Sequence, residues 1–308
     1  MSHTSRYRRP VLTLLALGAA VFALALPQVT YAQGPAARER KLTADIAANG
    51  AALIGDDVAA AEKAAVALGN IKDPRALDAL LDGLALGLHP QVATAALQGV
   101  AEHNDARALD TLQFFVQYRD AGVRAAALTA IGKLDDRRTV SPVLAALRDE
   151  DKAVRAIAIG IVATRDLRVG IEPMLELMKK GEEATGPALA SMADPDLAKI
   201  LGEYIGEAPN GLLASTLGTI LLREEFKPEA ARVQVVRTLG KITGPEAMVA
   251  LRNYIKSLHP RSLKQSKREA EAIIKARTTG AQPAPAGGPA APPAAPTGGQ
   301  PAPAEGTK

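Results

Sequence analysis

The 308-residue chain is 47% hydrophobic but only 3% aromatic, with no Trp and no Cys. Apolar content made of Ala, Leu, Val and Ile favours close-packed helices over a sandwich or barrel, and the lack of Cys excludes disulfides, thiol catalysis and Cys-ligated zinc. Most of the formal charge of +4 comes from Arg6, Arg8 and Arg9, which precede the first acidic residue, so the charge is no argument for nucleic acid.

At the N-terminus these arginines are followed by an uncharged apolar run from Val11 to Leu26, then Pro27, then Thr30-Tyr31-Ala32. This is the layout of a signal peptide over residues 1–32, with cleavage after Ala32 and a periplasmic or secreted mature chain. The run is about 16 residues, short of the roughly 20 that span a bilayer as a helix. No transmembrane span is therefore expected in the mature chain. Arg8-Arg9 ahead of Val11-Leu12 also resembles a twin-arginine signal, so Sec and twin-arginine export both stay open.

Residues 33–276 carry an internal repeat. Val123-Arg124-Ala125-Ala126-Ala127-Leu128 returns 31 residues later as Val154-Arg155-Ala156-Ile157-Ala158-Ile159, and 31 residues earlier as Val92-Ala93-Thr94-Ala95-Ala96-Leu97. A weaker copy ends at Leu68-Gly69-Asn70-Ile71, and Val235 to Ile242 restores the pattern. A short turn and a second apolar-periodic stretch follow each copy, as in Asp136-Arg137-Arg138 leading to Val140, Val143, Leu144 and Leu147. Apolar spacing of three and four residues marks one face of an α-helix, so each unit is predicted to be a helix pair. Asp73-Pro74, Asp194-Pro195 and Gly244-Pro245 suit the start of a second helix. One pair cannot bury both its faces, so the pairs must stack.

Leu147-Arg148-Asp149-Glu150-Asp151-Lys152-Ala153-Val154-Arg155 resembles the linker of HEAT-like repeats of the phycobilisome-lyase type, in which an Asp caps the next helix and a Val-Arg pair opens it. The resemblance implies an all-α, right-handed α-solenoid of about five or six helix pairs over Leu42 to Leu258. The stretch from Gly181 to Phe226 departs from the pattern. This repeat serves many unrelated roles, and lyases built from it would need a chromophore and helpers outside this chain.

Several constellations bear on chemistry. The series Asp73/Arg75, Asp105/Arg107, Asp136/Arg138 and Asp166/Arg168 recurs at the inter-helix turns, which points to capping and inter-repeat pairing rather than paired catalytic acids. Glu102-His103 is a single Glu-His pair, too few ligands for a metal site. No catalytic, metal-binding or cofactor-binding residue is assigned. The aromatic cluster Phe114, Phe115 and Tyr118 stands out, because the 31-residue step aligns it with Ala145, Ala146 and Asp149. If α-helical, Phe114 and Tyr118 share a face and could anchor a protein partner on the inner, second-helix surface; alternatively Phe115 fills space beside a small residue of a neighbouring repeat.

The segment from Arg252 to Arg277 is net basic by +6 and includes Lys264, Lys267 and Arg268. It would meet an anionic envelope polymer or lipid, or else it is a solvated last helix capping the stack. Nucleic acid is disfavoured, since no aromatic interleaving follows Tyr254. Residues 277–308, rich in Ala, Pro and Gly, form a tail predicted to be disordered. The sequence thus points to an exported, non-enzymatic scaffold for a protein partner in the cell envelope. The alternatives are a binder of an anionic surface through the basic segment and an accessory lyase-like repeat protein.

Overall fold

The computed structural model describes residues 34–279. The expected signal peptide with its cleavage site, and the tail beyond Thr279, lie outside the described residues. The chain divides into two compact units between Asp45 and Ile46. In the first, as far as it is described, the chain is helical and Thr43 Oγ1 donates to the Glu39 carbonyl at 3.0 Å.

Fifteen α-helices and three short 3-10 turns account for the described secondary structure, apart from an isolated bridge between Ile205 and Ala208. α1 (Pro35–Leu53) is followed by α2 (Val58–Asn70) and α3 (Pro74–Leu86). Next come α4 (Pro90–His103) with α5 (Leu109–Phe115), α6 (Ala121–Lys133) with α7 (Val140–Ala146), and α8 (Lys152–Thr164) with α9 (Ile171–Lys179). The last six are α10 (Thr185–Met192), α11 (Pro195–Glu203), α12 (Asn210–Leu222), α13 (Glu229–Lys241), α14 (Pro245–Ser257) and α15 (Gln265–Thr279). A short 3-10 turn precedes each of α5, α7 and α9.

The unit from Ile46 onward is an all-α solenoid. Its first helices, α2, α4, α6, α8, α10, α12 and α14, stack in series, and each is followed by a second helix. The 31-residue step becomes three core columns. Val92, Val123 and Val154 form one, Leu97, Leu128 and Ile159 another, Val100, Ile131 and Val162 the third, and all are buried. Burying such a side chain contributes about 1.5–3 kcal/mol, so each column adds a similar increment per repeat. α6 has neighbours on both sides and buries residues around most of its circumference, from Val123 to Ile131. Aspartates open the helices as expected: Asp57, Asp73, Asp120, Asp151 and Asp194 each accept from a first-turn N–H of the helix that follows, and Asp105 and Asp136 do so for the 3-10 turns before α5 and α7. Such a cap stabilises by roughly 1 kcal/mol.

First helices approach very closely. A Cβ built on Gly69 of α2 would lie 2.5 Å from Gly99 Cα of α4, so the two backbones meet directly. On the other side, neither α5 and α7 nor α7 and α9 pack backbone to backbone. Beyond the irregular stretch α11, α13 and α15 do pack on each other.

Six complete pairs, α2/α3 through α12/α13, lie within Leu42 to Leu258 as expected, and α14/α15 adds a seventh among the described residues. Two expectations are corrected. The motif at Val235 to Ile242 does not begin a pair: it lies on α13, which follows α12 and packs against α11 and α15. Both layers bury a 3.6-period stripe, so the motif cannot tell one layer from the other once the 31-residue step is broken. Lastly, Arg277, where composition sets the start of the tail, is still in α15. Its Nη2 donates to the Gly240 and Ile242 carbonyls at 2.6 and 2.7 Å, securing the end of α13.

Gly69→Ala should therefore lower stability by on the order of 1–2 kcal/mol, since overpacking outweighs the gain in helix propensity. Gly160→Ala in α8, where a Cβ would meet nothing within 4 Å, should raise it by roughly 0.5–1 kcal/mol. Urea unfolding of the two variants checks both signs.

Candidate functional site

Two clefts open where successive second helices stand apart. One, of about 900 Å³, lies between α5 and α7 and is lined by Gln113, Tyr118, Arg119, Pro142, Ala145 and Asp149, among others. The next, of about 760 Å³, lies between α7 and α9 and is lined by Arg148, Asp149, Lys152, Pro173, Leu177 and Lys180, among others. The seven-residue α7 separates them, and Asp149 belongs to both walls.

Each cleft has a guanidinium at its base. Arg124, at the start of α6, is buried. Its Nη1 donates to the Tyr118 and Arg119 carbonyls at 3.0 and 3.1 Å. Its Nε and Nη2 reach both carboxylate oxygens of Asp149 at 2.9 and 2.8 Å. Arg155, one repeat on, donates through Nη1 to the Asp149 and Glu150 carbonyls at 2.9 and 3.0 Å. Its Nε and Nη2 grip Glu182 Oε2 at 2.9 and 2.7 Å. Each arginine thus closes the turn before its own helix and ties it to the turn of the next repeat. The other oxygen of Glu182, Oε1, is buried without a hydrogen-bond partner, which costs about 1–3 kcal/mol.

Burial pushes the Asp149 carboxyl up, but the Arg124 guanidinium and the Asp151 N–H outweigh it and hold the group below the usual carboxylate value. The bond that Arg124 donates to Asp149 raises the pKa of Arg124 in turn. Asp149 therefore stays ionised as a structural partner.

The aromatic cluster is arranged differently from the helical expectation. α5 ends at Phe115, and the Tyr118 N–H donates to the Phe115 carbonyl at 3.1 Å in a tight turn. Phe114 and Tyr118 consequently do not share a helix face. Phe115 is buried, with its ring 5.6 Å from the Tyr118 ring and edge-on to Phe114 at 5.2 Å. Phe115 is thus a core residue and not a partner contact. Phe114 is 67% exposed but lies outside the cleft lining, and the half-buried Tyr118 alone of the three lines it.

In the basic segment Lys264 and Arg268 are exposed, whereas Lys267 is buried. Lys267 Nζ donates to the Pro260 carbonyl and lies 3.8 Å from Glu271, so its charge is spent inside the fold. The Asp-x-Arg series behaves as expected. Arg75, Arg107, Arg138 and Arg168 each pair with the Asp two residues before, and Arg107, Arg138 and Arg168 also reach Asp78, Asp110 and Asp194 of adjacent repeats. Arg75 holds the Asp73 carboxyl down at about 2, first by its side-chain and then by its backbone hydrogen bond. Glu102 pairs with Lys133 at 2.8 Å, while His103 Nε2 lies 3.1 Å from the Leu68 carbonyl. This turn is structural rather than merely solvated. Among the described residues no group of three or more His, Asp or Glu is placed to hold a metal, and no helix is long and apolar enough to cross a membrane.

The HEAT repeats family matches residues 86–163 and 116–186, and the PBS lyase HEAT-like repeat family matches residues 60–85. Residues 60–186 are thus HEAT repeats. They include the phycobilisome-lyase type that the linker before α8 resembles. Among solved structures, the complex of CpcE and CpcF of phycocyanin lyase from Nostoc sp. PCC7120 is similar over 75% of this chain and 94% of that one, at 18% identity and a TM-score of 0.38. An engineered protein is similar over 77% of this chain and 97% of its own, at 15% identity and a TM-score of 0.31. No curated protein matches the chain.

The residues sequence reading missed are the clamp itself. Arg124 and Arg155 were visible as the second letter of the repeated Val-Arg, and Asp149 as part of the linker. Glu182 carried no signal, because it lies where the repeat departs from its period.

The folded carboxyl of Asp149 ionises below its unfolded value of about 3.9. Its pairing therefore stabilises fully above about pH 4 and is lost as pH falls through the lowered folded value. Asp149→Asn should cost on the order of 3 kcal/mol at pH 7, where it leaves Arg124 uncompensated. The difference from wild type should shrink below pH 4, as read from urea midpoints across that range.

Proposed function

We propose that this HEAT-repeat scaffold is exported to the cell envelope and there binds a protein partner, without catalysing a reaction, through the cleft between α5 and α7. The observation that carries this reading is the placement of Tyr118. It is a half-buried aromatic on the wall of a preformed concavity whose base is fixed by the Arg124–Asp149 pair. An amphipathic ring held in a rigid cleft is the kind of group that anchors interfaces, because little of its freedom is left to lose on binding. The strongly bonded charged groups of the cleft serve the repeat junction, which supports binding over proton transfer. Export rests on the order Arg6, Arg8, Arg9, apolar run and Ala32 in the sequence.

A second reading has its own support. Arg252, Lys256, Arg261, Lys264, Arg268 and Lys275 are exposed on or between α14 and α15, a surface suited to an anionic polymer or lipid headgroups.

Affinity capture by the full chain from envelope extract, beside Tyr118→Ala and Lys264→Glu/Arg268→Glu, separates the two. A protein held at moderate salt and lost with Tyr118→Ala is the expected result. Capture of polymer alone, released by salt and by the charge reversals, would replace it with the second reading. A chromophore carried through purification would favour an accessory lyase-like role instead. For export, the chain should appear in the periplasmic or secreted fraction with Gln33 as its first residue; an unprocessed chain in the cytoplasm would overturn that part.

A further inference from the structure

The clefts on either side of α7 differ in how their charges are used. Their buried acids face inward: Asp149 is held by Arg124, and Glu182 by Arg155. Glu176, on the rim, pairs with Lys179 at 2.9 Å. The cations on the rims face outward. Arg119 beside the first cleft, and Arg148, Lys152 and Lys180 beside the second, are all exposed, and no ion pair is formed by any of them among the described residues. Glu150, 86% exposed and 3.4 Å from Arg124, is the most exposed acid of the two linings. A ligand approaching this side therefore meets net positive charge over walls whose negative groups are already neutralised.

The spacing fits a chain rather than a compact ligand. Helices in packing contact lie about 8–10 Å apart, and the second helices here stand wider, while an extended polypeptide rises about 3.3 Å per residue. An extended segment of more than about three residues would therefore pass α7 from one cleft into the next. The first cleft offers Gln113 and Gln117, whose amides supply both a donor and an acceptor as a peptide backbone requires. The second adds apolar Pro173 and Leu177. With Tyr118 as the single aromatic in the two linings, there is no series of rings on which successive bases could stack.

We infer that the site takes an acidic, extended polypeptide segment that crosses α7, with its aromatic or apolar side chains against Tyr118 and Leu177 and its carboxylates against Arg119, Arg148, Lys152 and Lys180. This rests on the proposed role of the Tyr118 cleft and adds the chemical class of what enters it.

The test is selection of a displayed library of random linear peptides on the immobilised full chain, followed by affinity measurement of the selected peptides. Enrichment in Asp and Glu is expected. Affinity should fall at least about tenfold, or 1.4 kcal/mol, for Arg148→Glu/Lys152→Glu and again for Tyr118→Ala. These charge reversals sit on exposed side chains, and an acidic residue at position 152 suits the first turn of α8, so circular dichroism should show the fold intact. Peptides without acidic bias that still need Tyr118 would overturn the acidic class and leave the scaffold reading standing. Peptides indifferent to Tyr118, Arg148 and Lys152 would remove both. Acidic peptides that respond only to Lys264→Glu/Arg268→Glu would move the site to the last helices. Equal competition by polyphosphate or single-stranded DNA would show that charge alone is read and would overturn the polypeptide assignment.

Discussion

The order of the stack between α5 and α10 depends on one interaction made twice, a guanidinium, buried in Arg124 and half-buried in Arg155, that closes the turn before its own helix and grips a carboxylate one repeat further on. α2 and α4 meet backbone to backbone at Gly69 and Gly99, α6 meets α8 through Gly132 against the Ile161 side chain, and the second-helix side is left wider. Without a tie, that wider side could hinge. Arg124 and Arg155 supply the tie from within, each with two carbonyl acceptors and a carboxylate. A buried ion pair must offset heavy desolvation, and it does so only when its hydrogen bonds are satisfied. Arg124 has that arrangement. The Arg155 pair is less complete, with Glu182 Oε1 left unbonded.

The same bonds shape the surface. Because the clamps fix the turns that follow α5, α7 and α9, the gaps exist before any partner arrives, and binding need not open them. Because the clamps consume Asp149 and Glu182, the charge that remains outward is positive. Asp149 joins the two clefts chemically as well as spatially: its carboxylate serves Arg124, its carbonyl serves Arg155, and its Oδ1 also accepts the Asp151 N–H at 2.8 Å.

The repeat was legible because solenoid packing asks the same thing of each unit. The columns at 92, 123 and 154 and at 97, 128 and 159 could be read directly from the 31-residue step, and so could the capping aspartates. What was hidden had physical causes. The helix at Phe114 stops a turn early, because its last bonds tighten to the three-residue kind, and so Tyr118 leaves the face that a continuous helix would give it. Lys267 looks in sequence like any solvated cation, yet its long stem lets the ammonium reach the Pro260 carbonyl while the rest of the side chain is covered. Helix α13 bears the first-helix pattern in the wrong layer, since an apolar stripe records burial and not which neighbour does the burying.

That break in phase also explains why the clefts belong to one part of the stack. From α11 onward the second helices pack on one another, and the arginine there is used differently. Arg232 donates to the Leu221 and Arg223 carbonyls at 2.9 and 3.0 Å, closing the end of α12, but its guanidinium lies 6.0 Å from the ring centroid of the buried Tyr254 instead of gripping a carboxylate. A cation against an aromatic face joins α13 to α14 within a closed core, whereas a cation shared with a carboxylate in the next turn spans an open one. The regular repeats thus keep the 31-residue step, the carboxylate clamp and the wide second-helix side together, and the binding surface follows from that combination.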